Sequence, residues 1–315
     1  LLENGYRVLI CLRGYKGKLK QSTLVADSNG IHASAEIAGD EAILIAMRLT
    51  EALATSSANS SLPSLSSLSS QHSQTSQSVF AVAAGADRRK LIESFGGGFD
   101  VVLLDDAFQN PLVSRDLEIV LIDATVPVSR LQVLPCGSFR ESIDALSRAD
   151  MVCISRANLA YEPAVDWSRL VRSAHASLPV FGIGLSTESQ VTETEKTVAA
   201  FCGIGNPESF FTVLEQSGFT VAERHIFRDH HLYTDADLNR LSQSRWPLIT
   251  TEKDAARLGA RIKKLGQVKL LRTELFEMTA QNITLKSAND AGYDQGLFTK
   301  ILAVIKDVKE RNNLQ

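Results

Sequence analysis

Asp105-Asp106 ends the apolar run Val101-Val102-Leu103-Leu104. Ligands of open α/β sheets sit at the carboxyl ends of the strands, and a carboxylate pair there suits Mg2+ held beside a triphosphate. A simpler role, one Asp capping the turn that follows, is also open, although two adjacent acids repel each other without a cation nearby. Asp229-His230-His231 is a second cluster. It supports a metal site, a general base or a helix cap; zinc is not indicated, because the sequence has no HExxH and no further His at ligand spacing. Gly39-Asp40-Glu41 precedes an amphipathic run, where acids suit a helix N-terminus. Arg13-Gly14-Tyr15-Lys16-Gly17-Lys18 offers a phosphate contact through Arg13, but its spacing is not GxxxxGK[ST], and no such loop occurs in the sequence. Arg140-Glu141 reads as an exposed ion pair or a substrate-binding pair. Thr250-Thr251-Glu252-Lys253-Asp254 closes a strand and opens a helix, and a structural role accounts for it.

Short apolar runs alternate with helical periodicity around these residues. Runs at 7–12, 79–82, 99–104, 117–122, 151–154 and 180–183 read as strands, and 41–54 and 87–95 as helices. The runs lack in-out alternation, which predicts strands covered on both faces, as in a doubly wound, mostly parallel sheet. A second, smaller α/β unit is expected from strands at 196–202, 247–250 and 268–272, with helices from Glu208, near Thr234, from Lys253 and at 294–311. The predicted boundary falls between 1–185 and 186–315. Residues 55–78, dominated by Ser, Thr and Gln, predict a flexible insertion.

The 315 residues are 44% hydrophobic and 22% charged, with 33 Lys+Arg against 36 Asp+Glu for a formal charge of -3. There is no basic excess to suggest nucleic-acid binding. Four scattered cysteines without a CxxC predict buried thiols rather than disulfides or a thiolate metal site. No apolar stretch approaches the ~18 residues that a membrane span needs.

In their order along the chain, Arg13-Gly14-Tyr15, Gly39-Asp40-Glu41, Asp87-Arg88, Asp105-Asp106-Ala107-Phe108-Gln109, Arg115-Asp116-Leu117-Glu118, Leu134-Pro135 through Arg140-Glu141, Gly203-Ile204-Gly205-Asn206-Pro207, Asp229-His230-His231 and Thr251-Glu252-Lys253-Asp254 resemble the tetraacyldisaccharide 4'-kinase (lipid A 4'-kinase) family. The resemblance implies a P-loop NTPase-like fold. It also implies ATP-dependent phosphorylation of the 4'-hydroxyl of a tetraacyldisaccharide 1-phosphate, a glycolipid precursor of lipid A, by a peripheral enzyme at the cytoplasmic face of the bacterial inner membrane. Asp105 and Asp106 would hold Mg2+. Asp40 would pair with His230 or His231 to draw the proton from the sugar hydroxyl. Arg13, Tyr15, Glu41, Arg88, Gln109, Arg140 and Glu141 would line the phosphate and substrate cleft. Ala107 stands where the family has Gly, and Asn110 where it has His. The family's Walker A loop and membrane-associating helix are expected upstream of Leu1, and the non-Met start predicts a fragment. A chain truly beginning at Leu1 is expected to have little kinase activity. It would then be a remnant that binds glycolipid or a partner.

Overall fold

Hydrophobic runs bounded by turn residues pair into sheets, and the periodic stretches close over them as helices. A computed structural model describes residues 1–59, 79–188, 196–278 and 293–313. In chain order the first elements are β1 (Val8–Leu12), β2 (Thr23–Asp27), β3 (Gly30–Ile31), α1 (Ala35–Ala38), α2 (Asp40–Asn59), β4 (Phe80–Ala84), α3 (Arg88–Phe95) and β5 (Val101–Leu104). Next come β6 (Ile119–Asp123), β7 (Met151–Ser155), α4 (Tyr161–Ala174) and β8 (Val180–Glu188). The remainder is β9 (Thr197–Cys202), α5 (Pro207–Gln216), β10 (Thr220–Ile226), α6 (Asp235–Leu241), β11 (Leu248–Thr251), α7 (Glu252–Leu258), β12 (Val268–Glu277) and α8 (Leu297–Asn313).

The compact units are Leu1–Ala107 with Ser189–Arg272, and Phe108–Glu188 with Thr273–Gln315. They are not the contiguous blocks 1–185 and 186–315 expected from the sequence. The change near residue 186 is real, but the chain also crosses between units after Ala107 and inside β12. Neither crossing coincides with a change in composition, so neither was legible.

In the first unit, β1 lies parallel between β4 and β5, and β2 and β3 add an antiparallel edge beside β4. Alternate side chains of β1 and β4 enter two cores. Leu12, Phe80, Val82 and Ala84 pack on the α2 side, and Leu9, Cys11, Ala81 and Ala83 pack with Leu91 of α3. That is the two-sided helical cover of a doubly wound sheet. The same unit holds the parallel strands β10, β9, β11 and β12 in that order. Ala256 of α7 packs into the α2 core, so the helix that begins with Asp40 also contacts the helix that follows β11. In the second unit, β6, β7 and β8 are parallel. The fully buried Trp167 of α4 anchors one face, with its Nε1 donating to the Val126 carbonyl at 2.6 Å.

Three expectations change. Leu103 and Leu121 are 43% and 66% exposed, so β5 and β6 are not covered on both faces; a continuous apolar run cannot by itself report its cover. Helix α2 extends to Asn59, into the Ser-rich stretch, while 60–78 lie outside the described residues. Cys136 is exposed. Only Cys11, Cys153 and Cys202 are buried, and burial pushes their thiols up to about 11, 12 and 12.

Candidate active site

Asp40 opens α2 where the chain makes a close crossing. Gly39 has φ +88, and a Cβ there would lie 2.8 Å from the Tyr15 carbonyl oxygen, so the position excludes side chains on two counts. The crossing sets the turn after β1 against the start of α2 and leaves Asp40 only 5% exposed. Its Oδ1 accepts from the Glu41 amide at 3.0 Å. Its Oδ2 faces His230 Nδ1 at 3.1 Å, a partner 190 positions away in the sequence.

His230 sits in the turn after β10 with φ 57, and its backbone N–H donates to the Gly203 carbonyl at 3.0 Å. Burial raises the Asp40 pKa, but the Arg257 hydrogen bond and charge, with His230 and Lys253, outweigh it and hold the carboxyl below the ordinary range. An ionised Asp40 can only accept. A His230 that carries a proton on Nδ1 donates it to Asp40, and its other ring nitrogen, Nε2, lies 3.7 Å from Asp229 Oδ2. The Tyr15 ring meets His230 edge-on, with centroids 6.0 Å apart.

His231 points elsewhere. Its Nε2 lies 2.9 Å from Asp237 Oδ2, and its ring stacks on Phe227 at 4.8 Å. Asp237 also completes a capping box with Thr234 at the start of α6. Of the two histidines left open by the sequence, the structure brings only His230 to Asp40.

Asp105 and Asp106 follow β5 directly, and both are exposed. Asp106 takes φ 48, a left-handed conformation that Asp tolerates. Ala107, in the place of a family glycine, is not among the residues with positive φ, so its methyl group is accommodated. Desolvation, Glu41 and Asp106 raise the Asp105 pKa against the pull of Arg88. Such a crowd of like charge is what a bound cation relieves. Among the described residues no group of three or more His, Cys, Asp or Glu is arranged to hold a metal ion. Mg2+ asks for less, since it takes one or two carboxylates together with phosphate oxygens and water. The pair fits that demand.

Arg88 underlies the pair. It is 4% exposed and donates to the carbonyls of Gly85 at 3.0 Å and Asp105 at 2.9 Å. Asp87 caps the helix that carries it. Arg13 is exposed at the end of β1, near enough for its charge to act on Arg88. Glu41 is held by Lys253 Nζ at 2.8 Å.

Gln109, Arg140 and Glu141 belong to the second unit, where they form a cluster of their own. Arg140 donates to Gln109 Oε1 at 3.3 Å, and Arg148 grips Glu141 at 2.7 and 3.0 Å while its guanidinium lies over Phe108. Glu141, which adjacency set beside Arg140, bonds Arg148, seven positions on.

The sequence reading passed over Arg257 and took Asp254 as structural. Arg257 donates to Asp40 Oδ2 at 2.8 Å, and Asp254 is fully buried behind it. The signal was an Asp and an Arg three positions apart on a helix, hence on one face.

An α/β scaffold with a buried carboxylate–imidazole pair, and a second carboxylate pair at a strand end in the same unit, matches what phosphoryl transfer asks of a site: a candidate proton acceptor and carboxylates suited to a cation. The chain belongs to the LpxK family, tetraacyldisaccharide-1-P 4'-kinase, whose model matches residues 1–290. It is 32% identical over 278 residues to the tetraacyldisaccharide 4'-kinase of Geobacter metallireducens, covering 85% of this chain and 74% of that one. The kinase of Chlorobium phaeovibrioides is 30% identical over 269 residues (82% and 70% covered). That of Maricaulis maris is 35% identical over 205 (64% and 59%). Among solved structures, "apo" form LpxK from Aquifex aeolicus in complex with ATP has the same fold, with a TM-score of 0.62 at 24% identity over 89% of this chain and 78% of that one. The fold is therefore α/β of the P-loop-like kind.

Proposed function

We propose that the chain acts as a tetraacyldisaccharide 4'-kinase, moving the γ-phosphoryl of ATP to the 4'-hydroxyl of a tetraacyldisaccharide 1-phosphate in lipid A biosynthesis. One observation carries the chemistry: Asp40 and His230, 190 positions apart, meet at 3.1 Å, and a neutral His230 that donates from Nδ1 has its lone pair on Nε2. His230 Nε2 takes the proton of the acceptor hydroxyl. The hydroxyl oxygen bonds to the γ-phosphorus as the bond to the bridging oxygen breaks, and ADP leaves with that electron pair. Asp40 orients the ring and balances the imidazolium.

Asp105 and Asp106 are the residues that would hold Mg2+, which when bound neutralises the phosphate charge. Arg88 fixes the Asp105 backbone, and Glu41 is held close to this charge by Lys253. Arg13 and Tyr15 contribute phosphate and acceptor contacts beside the pair. Attachment to the cytoplasmic face of the inner membrane is peripheral in this reading; no described helix is long and apolar enough to cross a membrane.

Asp40→Ala tests the chemistry in steady-state kinetics with ATP and the disaccharide. Turnover is expected to fall by about 10²- to 10⁴-fold, with a much smaller change in KM. Unchanged turnover would remove Asp40 from the reaction.

A further inference from the structure

Arg257 reaches three groups at once. Its Nε donates to Asp40 Oδ2, the oxygen that His230 Nδ1 also uses, at 2.8 Å. Its Nη1 donates to the Gly203 carbonyl at 2.7 Å and to Asp254 Oδ1 at 2.8 Å. That Gly203 carbonyl is the one holding the His230 backbone N–H at 3.0 Å. One guanidinium therefore touches both the carboxylate of the pair and the backbone group that seats its histidine.

The guanidinium is itself fixed from behind. Asp254 accepts from Tyr233 Oη at 2.8 Å, Thr251 Oγ1 at 2.6 Å and the Gly203 amide at 3.1 Å. The Arg257 side chain is 6% exposed and that of Asp254 is 0% exposed. A rigid fork between two acids in such a place has little freedom to turn.

We infer that Arg257, oriented by Asp254, is a positioning residue for phosphoryl transfer: it fixes Asp40 Oδ2 against His230 Nδ1 so that Nε2 faces the acceptor hydroxyl. This rests on the reading of Asp40 and His230 as the proton-accepting pair. Asp254 binds Nη1 of the guanidinium whose Nε holds Asp40, so the fork is fixed at two of its nitrogens.

The test is the ring 15N spectrum of His230 in alkaline buffer, on the full chain, for the unaltered protein and for Arg257→Gln, Asp254→Asn and Arg257→Lys. His231, held by Asp237 and stacked on Phe227, serves as the folding control in the same spectra. The unaltered protein is expected to show His230 with its proton on Nδ1. Arg257→Gln and Asp254→Asn are expected to mix the two tautomers while the His231 signals stay in place, and Arg257→Lys to restore the single form in part. In kinetics, Arg257→Gln is expected to lower kcat by up to about 100-fold with KM for both substrates little changed.

A His230 spectrum that stays unaltered in Arg257→Gln and Asp254→Asn, with His231 also in place, overturns the inference. So does a rise in KM with constant kcat. If either variant also loses the His231 signals, Arg257→Lys decides: partial restoration with His231 intact supports the role, and a folded Lys variant with fully mixed tautomers refutes it. A mixed tautomer in the unaltered protein would instead sink the pairing of Asp40 with His230.

Discussion

Asp40 and Asp105 belong to one unit, yet their surroundings push them in opposite directions. Asp40 is buried at the start of α2 and meets Arg257 and His230, so its carboxyl is held below the ordinary range. At the end of β5, desolvation and then the charges of Glu41 and Asp106 raise the Asp105 carboxyl. Cations from the chain complete the first acid. The second stands among like charges and is suited to a cation from outside. The contrast separates the two tasks of phosphoryl transfer, placing a proton acceptor and neutralising phosphate charge, by environment rather than by residue type.

The strongest challenge to this contrast replaces each histidine in turn. His230→Gln is expected to lower kcat by about 10²- to 10⁴-fold, while His231→Gln leaves kcat within a few-fold, by the order of magnitude expected for a change away from the chemistry. A comparable loss in both would mean that the turn, not the imidazole, is what matters.

Next in size is the support beneath Asp40. Arg257→Met leaves Asp40 and Asp254 buried without their shared cation and is expected to destabilise the fold by about 3–5 kcal/mol, read from urea midpoints at constant m. A loss below about 1 kcal/mol would mean that the acids find other partners. Smaller again is the cap beside His231. Asp237 is lowered to about 2, where burial is outweighed by the bonds from Thr234 and His231. Its contribution is therefore present above the unfolded value of 3.8 and lost as pH falls through about 2. Asp237→Asn is expected to cost about 1 kcal/mol near neutrality, with the difference from the unaltered protein closing in strong acid.

The smallest effect sharpens the other side. Because the Asp105 pKa is raised, the folded protein binds more protons than the unfolded chain between the two values, and its stability falls as pH rises through that window. Asp105→Asn removes the penalty. In metal-free buffer it is expected to stabilise the protein above the window by less than about 1 kcal/mol and to have no effect below it. The same variant should weaken Mg2+ binding measured by calorimetry. Destabilisation at neutral pH would mean that Asp105 is paired as Asp40 is.

The elements themselves were largely legible. Val8–Leu12, Thr197–Cys202 and Met151–Ser155 are strands within a residue or two of the apolar runs that announced them, and Pro207, Thr234 and Thr251 mark helix starts by local chemistry. The antiparallel edge β2–β3 was not foreseen, because the polar residues around Thr23–Asp27 and Gly30–Ile31 carry no strong periodicity. Asp105 and Asp106 were named from the apolar run that they end, and Asp40 with His230 or His231 from motif order. Asp254 was read as structural because acids early in a helix have an adequate local explanation, and Arg257 was passed over.

Local sequence decided strands, caps and the α/β class, since periodicity and capping act within a few residues of themselves. Only the tertiary structure could choose between His230 and His231, because chain direction at φ 57 turns adjacent rings toward Asp40 and Asp237, partners 190 and 6 positions away. The same holds for Arg257, whose bond to Asp40 closes a loop of 217 positions. Such contacts depend on how sheets and helices pack, and a charge becomes a catalytic support only when packing removes the water around it.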